Sequence, residues 1–316
     1  MAARDVRPPR VLRPGPREGG PIALGDEDLL IEGECLRVMR RLPEGAFDVV
    51  YADPPFNTGR DVVMHRTRAA ADDDAERTGF GGRRYRVERV GSQRFPDRHD
   101  DYALFLRERA EAARKLLAPW GTLYLHLDQR ESHRAKLMLD EVFGEECFLN
   151  EIVWAYDYGG RPKRRWPAKH DTILVYVRDP DRYHFDTAEV EREPYMSPGL
   201  AGPDKAARGK LPTDVWWHTI VPTRGAERTG YPTQKPEGVL RRIVAASSRP
   251  GGVCLDPFCG SGTLGGVARR LGRRRVMIDA TPEAIAVSAA RLARRDGEGD
   301  PPPPGPAAAW QRVARR

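Results

Sequence analysis

The hydrophobic pattern of the chain alternates between short apolar runs and amphipathic stripes. The short runs predict strands at Asp28–Ile31, Phe47–Ala52, Gly121–Leu127, Phe148–Tyr156, Thr172–Val177, Val253–Asp256 and Arg275–Asp279. The stripes of helical period predict helices at Leu36–Leu42, Tyr102–Leu117, Ser132–Phe143, Pro236–Ser247, Thr263–Leu271 and Pro282–Leu292, with Ser132 as an N-cap and Pro236 at N1. Strands separated by helices indicate an α/β fold with a mostly parallel sheet.

Three segments fall outside this alternation. Residues 1–25 are rich in proline, glycine and arginine, which predicts a disordered basic arm. Residues 60–100 are polar, charged and glycine-rich, which predicts a long loop. Residues 297–316 form a proline-rich basic tail. The pattern therefore leaves residues 26–296 as a single predicted domain.

Charge and composition narrow the function classes. The net charge is +7 and arginine far outnumbers lysine, which suits a nucleic-acid partner, although a biased genome gives the same composition. No apolar run is long enough to span a membrane, and no apolar segment follows the N-terminal arginines as in a secretory signal. The four cysteines form no CxxC pair, so we expect no zinc ribbon and a reduced, intracellular protein.

A glycine-rich turn after Asp256 is the first candidate for ligand binding. Gly260, Gly262 and Gly265 match G-x-G-x-x-G between a predicted strand and a predicted helix. Asp279 ends the next predicted strand, where an acid accepts hydrogen bonds from ribose hydroxyls. A carboxylate at Asp256 would repel a pyrophosphate but could accept from an ammonium group. The turn therefore favours S-adenosylmethionine over NAD, with a turn that binds no ligand as the alternative.

The sequence Asp53-Pro54-Pro55-Phe56 directly follows the predicted buried strand Phe47–Ala52. Ligands bind outside the carboxyl ends of strands in an open parallel sheet, so this turn and the glycine turn can face one crevice. The Asp53 carboxylate and the Pro54 carbonyl can accept both hydrogens of an exocyclic amine, and Phe56 can stack on a base that has left the duplex. This chemistry needs no metal, and no metal site is expected. An ordinary turn is the alternative.

Together these motifs resemble those of the amino-methylating DNA methyltransferases. DPPFNTG at 53–59 precedes DPFCGSGT at 256–263, and this order resembles the beta subgroup. YPTQKP at 231–236 resembles the motif that precedes the cofactor strand in that family. The resemblance covers roughly residues 28–294. It implies a Rossmann-like methyltransferase sheet in circularly permuted order, with the catalytic half first and the cofactor half last. It also implies transfer of a methyl group from S-adenosylmethionine to the N6 amine of adenine in duplex DNA, because serine in place of the first aspartate looks more like the cytosine-amine enzymes.

The resemblance implies a role for each motif residue. Asp53, Pro54, Pro55 and Phe56 would be the catalytic residues that hold the target base. The cofactor-binding residues would be Glu34, Thr233, Lys235, Asp256, Phe258, Gly260, Ser261, Gly262, Thr263 and Asp279. Among them, Thr233 and Lys235 would approach the methionine carboxylate. Glu34 stands where the family often has an aspartate that contacts the cofactor adenine.

A basic stretch at 159–170 is the candidate DNA-binding segment. Its members are Arg161, Lys163, Arg164, Arg165, Trp166 and Lys169. Cationic side chains bind backbone phosphates and tryptophan can stack, whereas a solvated hairpin tip is the alternative. The resemblance implies an inserted target-recognition region at about 151–230, with the 60–100 loop as a further candidate part of it.

The sequence leaves other functions open. Methylation of cytosine N4 or of RNA would keep the same chemistry, a nicotinamide dehydrogenase would use the glycine turn, and a DNA-binding relic would keep the fold without the reaction. Methylation of cytosine carbon 5 is not expected, because that chemistry usually needs a cysteine after a proline and none is present. The expected partner is double-stranded DNA, with a restriction endonuclease and a homodimer as further candidates. No membrane is involved in this interpretation, and the expected location is cytoplasmic and nucleoid-associated.

Overall fold

The structure is a computed structural model that describes residues 9–14, 19–57, 62–71, 77–78, 84–95, 99, 101–222, 225–231 and 233–293. The strands in chain order are β1 (Arg10–Leu12), β2 (Leu29–Glu32), β3 (Phe47–Ala52), β4 (Val62–Ala71), β5 (Arg77–Thr78), β6 (Arg84–Phe95), β7 (Leu117–Leu127), β8 (Phe148–Ala155), β9 (His170–Val177), β10 (Val215–Trp217), β11 (Val253–Asp256) and β12 (Arg274–Asp279). The α-helices are α1 (Cys35–Met39), α2 (Tyr102–Leu116), α3 (Ser132–Phe143), α4 (Pro198–Ala201), α5 (Pro203–Arg208), α6 (Glu237–Ser247), α7 (Thr263–Arg270) and α8 (Pro282–Ala293).

Nine strands form one mixed sheet in the order β1-β2-β12-β11-β3-β7-β9-β8-β10. The strands from β1 to β7 in this order pair in parallel. β9 runs antiparallel to both β7 and β8, and β10 runs parallel to β8. The predicted α/β class and permuted order are confirmed, because β3 and β7 come early in the chain while the adjacent β11 and β12 come last.

Helices bury apolar stripes against this sheet. In α6, Val239, Leu240, Ile243 and Val244 recur at helical spacing, and each is at most 1% exposed. They belong to the same core cluster as Cys254 of β11. Each such side chain contributes about 1.5–3 kcal/mol on burial. None of the helices within the described residues combines the length and the apolar character that a bilayer crossing requires.

Two predicted positions at helix N-termini are wrong. Ser132 is the first residue of α3 rather than its N-cap, which is Glu131 and makes no side-chain cap bond. The Asp128 carbonyl instead accepts from the Ser132 N–H, at 3.2 Å, so the preceding turn replaces a side-chain cap. Pro236 is the N-cap of α6 rather than N1, because its ψ of 140° is extended and the helix begins at Glu237.

The prediction of a disordered arm over residues 1–25 is wrong for the part that pairs with the sheet. Strand β1 lies beside β2, and the Arg10 N–H donates to the Asp28 carbonyl at 2.9 Å. The Arg13 side chain forms an ion pair with Glu32. Val11 and Leu12 supply strand propensity that the surrounding proline and arginine obscure. Residues 1–8 and 15–18, like the tail at 297–316, lie outside the described residues.

The chain divides into two compact units rather than the single domain predicted over 26–296. One unit is Pro55–Tyr102, and the other holds the nine-stranded sheet. Within Pro55–Tyr102, the described strands form an antiparallel sheet in the order β4-β6-β5. The predicted long loop over 60–100 is therefore wrong for these three strands. Charged and apolar residues alternate along Arg84–Val87, which is the period of a strand, but the high charge hides it.

The predicted recognition region at 151–230 overlaps the main sheet. It contains most of β8, all of β9 and all of β10, and β9 is buried at every position but its first. A continuous apolar run in the middle of a sheet belongs to the core, so this region is not a separate insertion. Its irregular parts are the loop at 156–169 and the segments at 178–214 and 218–236.

Candidate functional site

Three predicted site segments meet at one edge of the main sheet. Asp53 follows β3 at once, the glycine-rich turn follows β11, and Asp279 ends β12. β3, β11 and β12 are adjacent and parallel, so their carboxyl ends lie at the same edge. The structure thus brings together residues that the sequence separates by more than two hundred positions.

Asp53 forms an ion pair with Lys235. The lysine Nζ lies 2.8 and 2.6 Å from the two carboxylate oxygens of Asp53. The side chains are only 16% and 12% exposed, so the pair is largely shielded from water and its geometry is restrained. Lys235, for which the resemblance implies a place near the methionine carboxylate of a cofactor, contacts the predicted catalytic acid. Nearby Thr233 has a left-handed φ of 56°, which is strained for a β-branched residue.

The glycine-rich turn requires glycine at two positions. Gly260 and Gly262 have φ values of 47° and 73°. A Cβ on Gly262 would lie 2.7 Å from the Ser288 Oγ and 3.1 Å from the Ser288 Cα. A Cβ on Gly260 would lie 3.1 Å from the ring of Tyr231. The turn is therefore closed by α8 on one side and by Tyr231 on the other, and neither contact was predicted from the sequence.

Asp279 fixes the shape of this turn. Its Oδ2 accepts from the Gly260 N–H at 2.9 Å. Its Oδ1 accepts from the N–H and the hydroxyl of Thr281, at 2.9 and 2.8 Å. A carboxylate has about four acceptor positions, so Asp279 can still accept from a ligand hydroxyl.

Asp256 is buried beneath the turn. Its side chain is 3% exposed, and its Oδ1 accepts from the Phe258 N–H at 3.1 Å. Burial raises the pKa of the Asp256 carboxyl well above its ordinary value, and the charges of Asp53 and Asp279 raise that pKa further. This group is therefore costly to ionise unless a cation lies beside it.

Ser261 and Thr263 join the glycine-rich turn to the segment around Lys235. The Thr263 hydroxyl donates to the Lys235 carbonyl at 3.2 Å. The Ser261 hydroxyl lies 3.1 Å from the Thr263 hydroxyl, and both residues are buried. The two predicted cofactor segments thus form one connected wall.

A model of the DNA methylase family matches residues 47–290, which is most of the chain. The chain belongs to this family. It is 29% identical over 265 residues to the Type II methyltransferase M.HpaI of Haemophilus parainfluenzae, covering 83% of this chain and 73% of that one. It is also 29% identical over 281 residues to the DNA adenine methyltransferase YhdJ of Escherichia coli (strain K12), covering 86% and 85%.

Among solved structures, the cytosine-N4-specific PvuII DNA methyltransferase superposes with a TM-score of 0.57 at 14% identity, covering 85% of this chain and 86% of that one. At that identity the likeness shows the fold alone. Family membership confirms the enzyme class expected from the two motifs, an S-adenosylmethionine-dependent methyltransferase that acts on DNA. The individual roles of the site residues do not follow from membership and are taken up below.

In the methylase, Glu34 has a structural task that the sequence does not reveal. It is the N-cap of α1, and its carboxylate accepts from the backbone N–H groups of Leu36 and Arg37 at 3.1 and 2.8 Å. Arg109 also donates to Glu34, at 2.6 Å. The longer arm of glutamate, compared with the expected aspartate, folds back onto the helix start. This geometry gives Glu34 a role as a helix cap, and its contact with a cofactor stays a prediction.

Two aromatic rings lie near the glycine-rich turn of the methylase. The ring centroids of Phe258 and Phe105 are 6.3 Å apart, and the Arg109 guanidinium lies 3.6 Å above the Phe105 ring. Phe258 was predicted from the motif. Phe105 lies on α2, where its helical spacing indicates only core packing, so sequence reasoning missed it.

A buried hydrogen-bond network lies behind Asp53. The hydroxyl of Tyr51 is 2.7 Å from His126 Nδ1, and His126 Nε2 is 3.2 Å from Asp171 Oδ2. Tyr156 donates to the other oxygen of Asp171 at 3.0 Å. Burial opposes ionisation of Asp171, but its bond with His126 and the nearby charge of Lys235 lower the pKa of that carboxyl. The network links Tyr51 of β3 to Tyr156, which is the first residue after β8.

The predicted DNA-binding residues lie on the loop at 156–169, which joins β8 to β9. β8 is parallel to β7, so this loop leaves the sheet at the same edge as Asp53. Lys169 donates to the carbonyls of Tyr158 and Gly159 at 2.6 and 2.9 Å and therefore braces the loop. Arg161 pairs with Asp157. The remaining candidates are exposed and have no side-chain partner among the described residues: Lys163, Arg164, Arg165 and Trp166.

Asp256→Asn is expected to stabilise the methylase without cofactor increasingly as the pH rises. Because the pKa of Asp256 is higher in the folded than in the unfolded chain, the unfolded chain binds fewer protons above the ordinary value of 3.8. The free energy of unfolding of the natural chain therefore decreases as the pH rises from 3.8 to the pKa of Asp256 in the folded chain. Asparagine does not titrate, so Asp256→Asn removes this decrease. Urea denaturation between pH 5 and pH 8 measures the difference. The exposed Asp204→Asn is the control, and a difference independent of pH would contradict the assignment.

Proposed function

We propose that the methylase transfers a methyl group from S-adenosylmethionine to the N6 amine of adenine in duplex DNA, after the base has been flipped out of the helix. The observation that carries this proposal is the position of Asp53. Its carboxylate is held by Lys235 at 2.8 and 2.6 Å, at the end of β3 beside the glycine-rich turn. The restrained carboxylate of Asp53 and the glycine-rich turn thus lie at the same edge of the main sheet.

The residues present fit S-adenosylmethionine. When bound, this cofactor supplies an electrophilic methyl group on a positively charged sulfur. The site holds three carboxyl groups that interact electrostatically, those of Asp53, Asp256 and Asp279, and one neighbouring cation, Lys235. Because the carboxyl groups outnumber the cation, the site suits a positively charged ligand. Within the proposed cradle, Asp279 would accept from the ribose hydroxyls. The turn residues Gly260, Ser261, Gly262 and Thr263 would bring backbone close to the cofactor, and Phe258 and Thr233 would line it.

Asp53 and Pro54 are proposed to orient the target amine. The lone pair of an exocyclic amine is delocalised into the ring, so the nitrogen is a weak nucleophile. If the Asp53 carboxylate accepts one hydrogen and the Pro54 carbonyl accepts the other, electron density returns to nitrogen. Pro54 suits this role because its ring fixes φ. Pro55 and Phe56 follow, and Phe56 is proposed to stack on the flipped base.

Adenine is the proposed base for two reasons. The relative YhdJ is named a DNA adenine methyltransferase and aligns over 86% of this chain. The catalytic motif here opens with an aspartate, at Asp53. The cytosine-N4-specific PvuII enzyme shares the fold at only 14% identity and gives no support for cytosine.

The exposed cations of the loop are proposed to bind DNA phosphates. Replacing Lys163, Arg164 and Arg165 together by alanine is expected to weaken binding to all duplexes. It should also reduce the slope of log affinity against log salt by about 0.9 for each phosphate that the variant no longer neutralises. Fluorescence anisotropy between 50 and 300 mM salt measures this. Arg182→Ala, at the opposite edge of the sheet, is the control, and an unchanged slope in the triple variant would rule out phosphate binding by the loop.

Two protein partners and a location complete the proposal. M.HpaI is named a Type II methyltransferase, and a restriction endonuclease for the same sequence is the proposed counterpart of this chain. A homodimer could form through the open edge strand β10, where Val215 and Trp217 are 54% and 56% exposed. Sedimentation velocity tests the dimer.

Action on chromosomal DNA implies a nucleoid location.

Incorporation of labelled methyl groups tests the proposed substrate. The methylase is incubated with labelled S-adenosylmethionine and either unmethylated genomic DNA or total RNA. We expect label in the DNA, protected against further labelling by prior treatment with unlabelled cofactor. Label confined to RNA would overturn the choice of nucleic acid.

A further inference from the structure

Trp166 is the most exposed of the large apolar side chains within the described residues. It is 95% exposed, whereas Trp154 and Trp216 are 2% and 7% exposed in the core. Tryptophan buries more apolar surface than any other side chain when it finds a partner, so a chain rarely leaves one fully in water without a use for it. Trp166 is therefore available to a binding partner outside this chain's own core.

The loop presents Trp166 in a defined way. Pro162 and Pro167 restrict the backbone on both sides of the Lys-Arg-Arg-Trp sequence. Lys169 closes the base of the loop through its bonds to backbone carbonyls, and the Tyr156 N–H donates to the Lys169 carbonyl at 2.8 Å. The tryptophan thus stands beyond a braced loop base, at the edge of the sheet that carries Asp53.

The surroundings of Trp166 match DNA in charge. Lys163, Arg164 and Arg165 directly precede it, and they have no side-chain partner among the residues that the structure describes. Three adjacent cations would repel a basic protein surface and would be attracted to phosphates. An apolar ring beside phosphate-binding side chains is the arrangement with which proteins part stacked base pairs.

We propose that Trp166 inserts into the duplex and stacks in the space that the flipped base leaves. This role rests on the proposed function, because only a reaction outside the helix creates the gap. Extrusion of a paired base breaks its pairing and stacking, and stacking of the neighbouring bases on an aromatic ring recovers part of that loss. Trp166 is thus a positioning residue that stabilises the open duplex, while the neighbouring cations hold the phosphates.

The test compares Trp166→Ala with the natural chain on two duplexes. Both duplexes carry the methylation site, which is first identified by sequencing methylated DNA. In one duplex the target base faces its complement, and in the other it faces an abasic position. We expect single-turnover methyl transfer by Trp166→Ala to fall about 10- to 100-fold on the paired duplex. On the abasic duplex it should recover to within about threefold of the natural chain. Trp166→Phe should retain most of the activity on both.

Each outcome separates this role from the wider function. Phe185→Ala, an exposed aromatic at the opposite edge of the sheet, is the matched control and should methylate both duplexes normally. An equal loss on both duplexes, or no loss on either, would overturn the role of Trp166 while leaving the methylase function intact. If the natural chain methylates neither duplex, the proposed function itself fails. Circular dichroism checks that the variants are folded.

Discussion

Asp53→Asn is expected to slow methyl transfer about 100- to 1,000-fold while the affinity for S-adenosylmethionine stays within about threefold. This magnitude is typical for the loss of one charged or hydrogen-bonding group that acts on the reacting atoms. Asparagine keeps the volume and leaves an oxygen for Lys235, but it lacks the negative charge that draws a hydrogen of the amine. Single-turnover transfer of labelled methyl groups measures the rate, and calorimetric titration measures the affinity.

Asp48→Asn is the matched control for this prediction. Asp48 lies on β3, the strand that Asp53 follows; it is 2% exposed and is paired with Arg249. Its replacement removes the charge of a buried acid that is ion-paired, but at the opposite end of β3. We expect Asp48→Asn to lower the free energy of unfolding and leave the rate nearly unchanged. Equal losses of rate in the two variants would show that Asp53 acts only through stability.

Gly262→Ala is expected to lower the affinity for S-adenosylmethionine at least about tenfold and the free energy of unfolding by about 2–5 kcal/mol. A left-handed φ costs an alanine about 1–2 kcal/mol, and overpacking adds about 1–3 kcal/mol. The new Cβ would lie 3.1 Å from the Ser288 Cα, which is backbone and cannot rotate away. The turn must therefore move from the position in which Asp279 holds it. Urea denaturation and cofactor titration measure the two effects.

Gly272→Ala separates the steric effect from the backbone strain. Gly272 has a φ of 72°, close to that of Gly262, and a Cβ there would meet no atom within 4 Å. We expect only the strain of about 1–2 kcal/mol and an unchanged cofactor affinity. If Gly272→Ala weakened cofactor binding as much as Gly262→Ala, the contact with Ser288 would not explain the result.

The carboxyl edge of the sheet could be predicted because its signals are local. The runs at Phe47–Ala52 and Val253–Asp256 have the observed strand bounds, and each ends in its motif. Adjacent parallel strands then bring the two motifs together without further information. The range of α3 was also predicted, but its N-cap was not, because the Asp128 carbonyl of the preceding turn accepts from the Ser132 N–H in place of a side-chain cap.

The partners of the site residues could not be predicted, because they depend on packing between distant segments. Lys235 and Asp53 are separated by 182 positions, and only the folded chain shows that the lysine contacts the acid. The bond from His126 to Asp171 likewise joins two strands with no shared motif. Strand β6 was missed for a different reason, since its high charge outweighed the alternation at Arg84–Val87.

Nucleoside analysis of the product tests the central claim most directly. Unmethylated duplex DNA is incubated with the methylase and S-adenosylmethionine, digested to nucleosides and analysed by mass spectrometry. The account predicts N6-methyladenine in DNA treated with the natural chain and almost none in DNA treated with Asp53→Asn. N4-methylcytosine instead would preserve the role of Asp53 but contradict the choice of base. No methylated nucleoside, from a chain that binds the cofactor, would contradict the account as a whole.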